Sequence, residues 1–127
     1  MPPRRRVSYR GKLGRNALIA YSAGMLDGEG CIFWKNTPCV EVTNKHRPVL
    51  ELFQSEWGGR VREKDRGVFC WSLYGSNAME YLQDAAKYSV IKYPQIVALY
   101  LARQARNPKT REVFLKTLKR LKSVYTN

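Results

Sequence analysis

Apolar positions along the chain change their period several times, and each change marks an element. From Arg15 to about Asp27, Leu18, Ala20, Tyr21, Ala23, Gly24 and Met25 supply an apolar surface that runs most of the way round, as in a helix buried on several sides. That pattern stops at the Gly28/Gly30 pair. Between Cys31 and Asn44 the period becomes two, with Ile32 and Trp34 on one face, a break at Asn36-Thr37-Pro38, then Val40 and Val42. This predicts a hairpin. Helical spacing returns over His46 to Trp57 through Val49, Leu50, Leu52 and Phe53, and Gly58-Gly59 ends it. A second hairpin follows, with strands near Arg60 to Lys64 and Val68 to Tyr74 around Asp65-Arg66-Gly67. Ser76 or Asn77 is expected to cap a helix through Met79, Leu82 and Ala86. After a short extended piece ending at Lys92, Pro94 starts a helix to about Arg106 and Pro108 starts the last one. Phe114, Leu118, Leu121 and Tyr125 form its apolar stripe, with lysines opposite.

The order is helix, two strands, helix, two strands, then helices, which is an α+β fold made of two α-β-β units. The expectation is a curved four-stranded antiparallel sheet with helices on one face and the other face free. With Ile32, Trp34, Val40, Val42 and Val61 inward, the free face offers Phe33, Lys35, Cys39, Glu41, Thr43, Arg60, Arg62 and Lys64. In the last strand the core set is either Phe69/Trp71/Leu73 or Val68/Cys70/Ser72/Tyr74, and bulk favours the first. Trp34, Trp57 and Trp71 are read as core residues.

Charge decides what the free face is for. The 127 residues carry 23 Lys+Arg against 10 Asp+Glu, a formal +13, and the excess is not spread evenly. Residues 1–15 hold Arg4, Arg5, Arg6, Arg10, Lys12 and Arg15 without an acid, whereas residues 103–127 hold eight cations and only Glu112. A balanced body with basic flanks favours a polyanion, because each cation laid on a phosphate releases condensed counterions. The chain divides into a flexible basic arm, 1–14, and a single domain, 15–127. Its apolar runs fall short of the ~18 residues of a membrane span, so a membrane partner is not expected. Cys31, Cys39 and Cys70 lack a CxxC spacing, so neither a disulfide framework nor a zinc site is supported. An intracellular setting fits, either cytoplasm or a DNA-containing organelle; the Arg-rich, acid-free start is read as mature protein, with an organelle-targeting segment as the alternative.

Two local features carry chemistry. Arg60, Arg62 and Lys64 recur at every second residue, about 6.7 Å apart on one strand face, with Arg66 continuing the row into the turn; a solvated, charge-protected edge strand is the plainer reading. Arginine suits guanine, whereas Glu41 could accept from cytosine. The second feature is residues 20–30, Ala-Tyr-Ser-Ala-Gly-Met-Leu-Asp-Gly-Glu-Gly. Ala20, Ala23 and Gly24 form a small-residue face that lets two helix backbones approach, and the helix then delivers Asp27 and Glu29. Carboxylates at a helix C-terminus oppose the macrodipole by roughly 0.3–1 kcal/mol. A divalent cation such as Mg²⁺ would compensate them, since it takes such oxygen ligands together with substrate phosphates; the plainer reading of Asp-Gly-Glu-Gly is a turn.

Ser22-Ala23-Gly24-Met25-Leu26-Asp27-Gly28-Glu29-Gly30 resembles the motif of the LAGLIDADG homing endonucleases, DNases encoded inside introns or inteins. It matches at the Ala, the first Gly, the Asp, the acid at the eighth place and the final Gly, with Ser22 in place of the leading Leu. The α-β-β-α-β-β-α order agrees over about residues 15–106. The resemblance implies that Glu29 is a metal ligand, with the Gly28 carbonyl beside it. Asn44, at the end of the second strand, would orient water near the scissile phosphate. Lys92 would activate the nucleophile or stabilise charge. The family's basic residue after the second strand falls on Pro48 here, so Arg47 or Lys45 must substitute. Asp27 is left between a structural role at the helix end and a metal role.

A single copy of the motif implies a homodimer meeting through Ala20, Ala23 and Gly24, reading a pseudo-palindromic double-stranded DNA site and cutting it with Mg²⁺ or another divalent cation. Two alternatives from other classes stand beside this one. One is a non-cleaving relative, either an intron RNA maturase or a DNA-binding regulator. The other is a small basic RNA-binding protein of ribosomal type, in which the Asp/Glu pair has no purpose.

Overall fold

The computed structural model describes residues 13–124. Most of the basic arm and Tyr125 lie outside the described residues. Among the described residues, five helices and four strands follow the expected order: α1 (Arg15–Glu29), β1 (Gly30–Trp34), β2 (Pro38–Asn44), α2 (Arg47–Trp57), β3 (Arg60–Asp65), β4 (Val68–Tyr74), α3 (Gly75–Ala85), α4 (Tyr93–Gln104) and α5 (Pro108–Val124). The strands form one antiparallel sheet in the order β1-β2-β4-β3. Each α-β-β unit thus contributes its second strand to the centre and its first to an edge.

The register fixes the two faces. Ile32 pairs with Val40, Val40 with Leu73, Val42 with Trp71 and Trp71 with Val61. Directly paired residues share a face, and these apolar side chains lie under the helices. Leu18, Ile19 and Leu26 of α1, Leu50 and Phe53 of α2, Tyr81 and Leu82 of α3 and Leu99 of α4 complete the core. Trp71 and Leu73 are fully buried there with Phe69 packed against them, so the bulkier set of β4 is the core set. Trp71 meets Phe53 and Tyr81 at centroid distances of 5.4 and 5.1 Å, and its indole N–H donates to the Gly58 carbonyl at 2.8 Å.

The structure departs from the expected pattern at several element ends. Helix α1 runs past Asp27 to Glu29 and closes with the Gly30 N–H on the Leu26 carbonyl. A Cβ at Gly30 would stand 2.6 Å from Leu26 Cδ1 and 2.8 Å from its carbonyl oxygen, so only glycine lets the chain leave the helix directly into β1. Helix α3 begins at Gly75 without a side-chain cap; the Ser76 hydroxyl accepts instead from Arg103 at 3.2 Å. In β3 the register shifts between Glu63 and Asp65, so Asp65 rather than Lys64 stands opposite Val68. This bulge breaks the every-second-residue row of cations after Arg62.

Some flanking cations serve the fold itself. Arg15 donates to Glu56 at 2.8 Å and to Asp84 at 3.1 Å, and Asp84 also accepts the Trp57 indole N–H, which ties the start of α1 to α2 and α3. Arg111 donates to the carbonyls of Ala102 and Ala105 at the end of α4 and lies over the Trp34 ring at 5.3 Å. Helices α4 and α5 pack together, and α4 also lies against β1. Among the described residues no helix is long and apolar enough to cross a membrane.

Candidate active site and nucleic-acid interface

The end of α1 gathers the acids and amides singled out in the sequence. Glu29 is exposed, and its Oε1 accepts from the Asn44 amide at 2.9 Å. The Asn44 carbonyl oxygen accepts in turn from the His46 backbone N–H at 2.7 Å, which holds the amide in one orientation at the joint between β2 and α2. Glu29 and Asn44 share an open depression with Tyr21, Gly24, Met25 and Gly28. The carboxylate and the exposed face of α1 are therefore one continuous surface.

Asp27, named beside Glu29 as a metal ligand, is committed elsewhere. Its Oδ1 accepts from Ser89 Oγ and the Lys92 N–H, and its Oδ2 from the N–H groups of Val90 and Ile91. Burial alone pushes this carboxyl up, but those four hydrogen bonds outweigh it and hold the group below the ordinary aspartate range. The structural reading of Asp27 is the one the geometry supports, because four donors leave its two oxygens little capacity for a cation. Lys92 is half-buried, with its ammonium 2.8 Å from the main-chain carbonyl of Asp27. Glu29, Asn44 and Lys92, three distant positions in sequence, are thus brought to the same end of one helix.

The expected small-residue face needs one correction. Ala23 is fully buried in the chain's own core, whereas Gly24 is exposed and Ala20 half-buried. At 100° per residue Ala23 joins Ile19 and Leu26 on the inner side. The outer side is Ala17, Ala20, Tyr21, Gly24 and Gly28. A Cβ added at Gly24 or Gly28 meets nothing within 4 Å. Neither glycine serves a contact inside the chain, although each costs a helix interior about 1 kcal/mol relative to Ala.

Cross-strand pairing organises the free face of the sheet into three rows: Phe33-Cys39-Tyr74, Cys31-Glu41-Ser72-Arg60, and Thr43-Cys70-Arg62. Cys70 and Ser72 form a floor of small, buried side chains between taller neighbours. Arg60 and Arg62 are exposed, and Arg62 reaches to within 4.0 Å of Glu41. Lys35, Lys64 and Arg66 are exposed or partly so around the two hairpin turns. Cys39, expected on this face, is covered; its thiol donates to the Thr37 carbonyl, and burial pushes its pKa up.

Of the two substitutes for the residue at Pro48, Arg47 is engaged. It pairs with Glu51 at 3.0 Å and stacks 5.0 Å over the Phe69 ring on the helix side of the sheet. Lys45 is exposed. Sequence reasoning missed Lys122 of α5, whose ammonium lies 5.8 Å from the Phe33 ring centroid and 3.6 Å from Cys31 Sγ, at the β1 rim of the free face. It also passed over Cys31 and Tyr74, although the period that selected Phe33 reaches Cys31 as well. Val90 and Ile91 were missed too; they are 79% and 44% exposed and hang from Asp27 beside the end of α1.

This architecture is shared with solved homing endonucleases. The homing endonuclease I-CvuI in complex with its target matches with a TM-score of 0.69 over 88% of this chain and 84% of that one, at 15% identity. An archaeal intron-encoded homing endonuclease, I-Vdi141I, complexed with DNA, matches at 0.65 over 83% and 82%, with 18% identity. The I-SmaMI LAGLIDADG homing endonuclease bound to cleaved DNA matches at 0.60 over 81% of this chain but 42% of its own, with 17% identity. No family model and no curated protein matches the sequence. The chain has the LAGLIDADG homing-endonuclease fold, and the motif occupies the helix that ends at Glu29.

Proposed function

We propose that this chain is a LAGLIDADG-type, site-specific DNA endonuclease that works as a homodimer with a divalent cation. The observation that carries this reading is the surface shared by Glu29, Asn44 and the glycine strip of α1. Glycines that serve nothing inside the chain suit a second helix backbone packed against them, and a two-fold there brings two Glu29 carboxylates toward each other. Val90 and Ile91 add exposed apolar side chains beside the end of the same helix. The match of one chain to less than half of I-SmaMI agrees with a protein that needs two copies.

Among the described residues of one chain no group of three or more His, Cys, Asp or Glu could hold a metal. The donors available in the depression are hard oxygens, the Glu29 carboxylate and the backbone carbonyl of neighbouring Gly28, which would suit Mg²⁺ when a second copy and substrate phosphates complete the shell. When bound, such a cation supplies Lewis-acid stabilisation of charge developing on phosphate oxygens. The chain's own part is to hold Glu29 by the Asn44 amide, to keep the Lys92 ammonium at the same helix end, and to lay DNA along the free face. Arg60, Arg62, Thr43 and Glu41 face base edges there, while Lys35, Lys45, Lys64, Arg66 and Lys122 sit at the rim, where phosphates run.

Plasmid DNA bearing the uninterrupted insertion site of the gene tests the reading. Double-strand cutting with Mg²⁺, abolished by Glu29→Gln without loss of DNA affinity, is the expected result. Tight binding without cutting by the native protein would assign it to the non-cleaving relatives instead.

A further inference from the structure

Asp27 grips both ends of Lys92. Its carboxylate accepts the Lys92 backbone N–H at 3.0 Å, along with the N–H groups of Val90 and Ile91 at 2.8 and 3.1 Å and the Ser89 hydroxyl. Its main-chain carbonyl accepts the Lys92 ammonium at 2.8 Å. Lys92 is the residue that precedes α4, so the carboxylate also meets the positive end of that helix, where an anion is favoured. A free lysine side chain loses roughly 2 kcal/mol of rotamer entropy when fixed. Holding both its backbone and its ammonium from one residue of α1 sets that position before any substrate arrives.

We propose that Asp27 is a positioning residue that fixes the Lys92 ammonium at the end of α1 that carries Glu29. The proposal rests on the nuclease reading, since it assigns Lys92 a place in that site. It separates the two acids of the motif by role: Glu29 faces the open depression, whereas Asp27 turns inward and carries the 89–92 turn. Asp27→Asn puts an NH₂ group where either oxygen now accepts two donors, so the turn and the ammonium must both move.

Single-turnover cleavage by the native protein, Asp27→Asn, Lys92→Met and the double variant is the test, with DNA affinity measured in Ca²⁺. Asp27→Asn is expected to keep its DNA affinity and slow cleavage by about 10²-fold, the cost of a misplacement near 1 Å. The double variant is expected to be no slower than Lys92→Met alone. Multiplying losses, or an unchanged rate in Asp27→Asn, would overturn the proposal. If the native protein cuts no DNA, the nuclease reading has failed, and positioning is read from acetylation of the Lys92 amine by acetic anhydride, mapped by mass spectrometry against exposed Lys45. Slow acetylation in the native protein that rises severalfold in Asp27→Asn supports the positioning; equal rates refute it. Should Asp27→Asn fail to fold, Ser89→Ala removes one donor of four and is expected to move both measurements in the same direction, and no movement overturns the proposal.

Discussion

The amide of Asn44 holds one oxygen of Glu29 at 2.9 Å while its own carbonyl oxygen accepts from the His46 N–H at 2.7 Å. One side chain therefore joins the end of β2, the start of α2 and the end of α1. Its two roles separate on substitution. Asn44→Ala frees Glu29 to rotate, and on the proposed nuclease reading the loss of a partner that orients a metal-binding carboxylate costs about 10–100-fold in affinity or rate. The missing hydrogen bond to the His46 N–H costs stability by about 1 kcal/mol. Cleavage rate and urea midpoint, measured on the same preparation, are expected to fall by those amounts, with the rate loss far exceeding what the stability loss can produce.

The open glycines of α1 set a second expectation. Because a Cβ at Gly24 meets nothing within 4 Å, Gly24→Ala is expected to stabilise the isolated chain by up to about 1 kcal/mol through helix propensity. Gly24→Leu keeps the chain folded but fills the space a second helix needs. Sedimentation equilibrium is expected to find the native protein dimeric and Gly24→Leu monomeric or at least tenfold weaker, a change of about 1.4 kcal/mol. An unaltered dimer would remove α1 from the interface.

Both features explain what the sequence could reveal. Period-two and helical spacings are local, so the nine elements of the described residues and the core face of the sheet are legible from residues such as Ile32, Val40 and Val42. Glu29 and Asn44 were reachable because the motif and the strand end name them. What local spacing lacks is the angular and long-range information. Ala23 was placed outward because small size says nothing of which side of a helix is covered, and only Ile19 and Leu26 beside it decide that. The Lys64 bulge depends on pairing with β4. The commitment of Asp27 to Ser89–Lys92 spans more than sixty residues, and Lys122 reaches Cys31 across ninety-one positions.

Protonation of Asp27 gives a pH-dependent signature. The folded carboxyl lies below the ordinary aspartate range because four hydrogen bonds favour its ionised form over the opposing effect of burial. At acid pH the unfolded chain therefore takes up the proton first. The stabilisation is fully present above the unfolded pKa and is lost as pH falls through the lower folded value. Urea midpoints followed from neutral to acid pH are expected to show this loss in the native protein and a shallower loss in Asp27→Asn.

Salt dependence distinguishes the rim from the rows. A cation on a phosphate contributes to the slope of log K against log salt by about 0.9 for duplex DNA, irrespective of sequence. Lys122→Gln and Lys45→Gln are expected to flatten the slope by roughly one unit each and to weaken cognate and random duplexes equally. Removing residues 1–12, which hold Arg4, Arg5, Arg6, Arg10 and Lys12, is expected to flatten it further without altering target preference. Arg62→Gln acts differently. Arg62 stands in a row with Thr43 and Cys70 on the free face, within 4.0 Å of Glu41, and a base contact there is worth about 1–3 kcal/mol of discrimination. Binding selection from randomised duplexes is expected to show relaxed preference at one position of each half-site for Arg62→Gln and none for the rim variants. A preference that shifts with Lys122 and ignores Arg62 would reverse the assignment, making α5 the reader and the sheet the support.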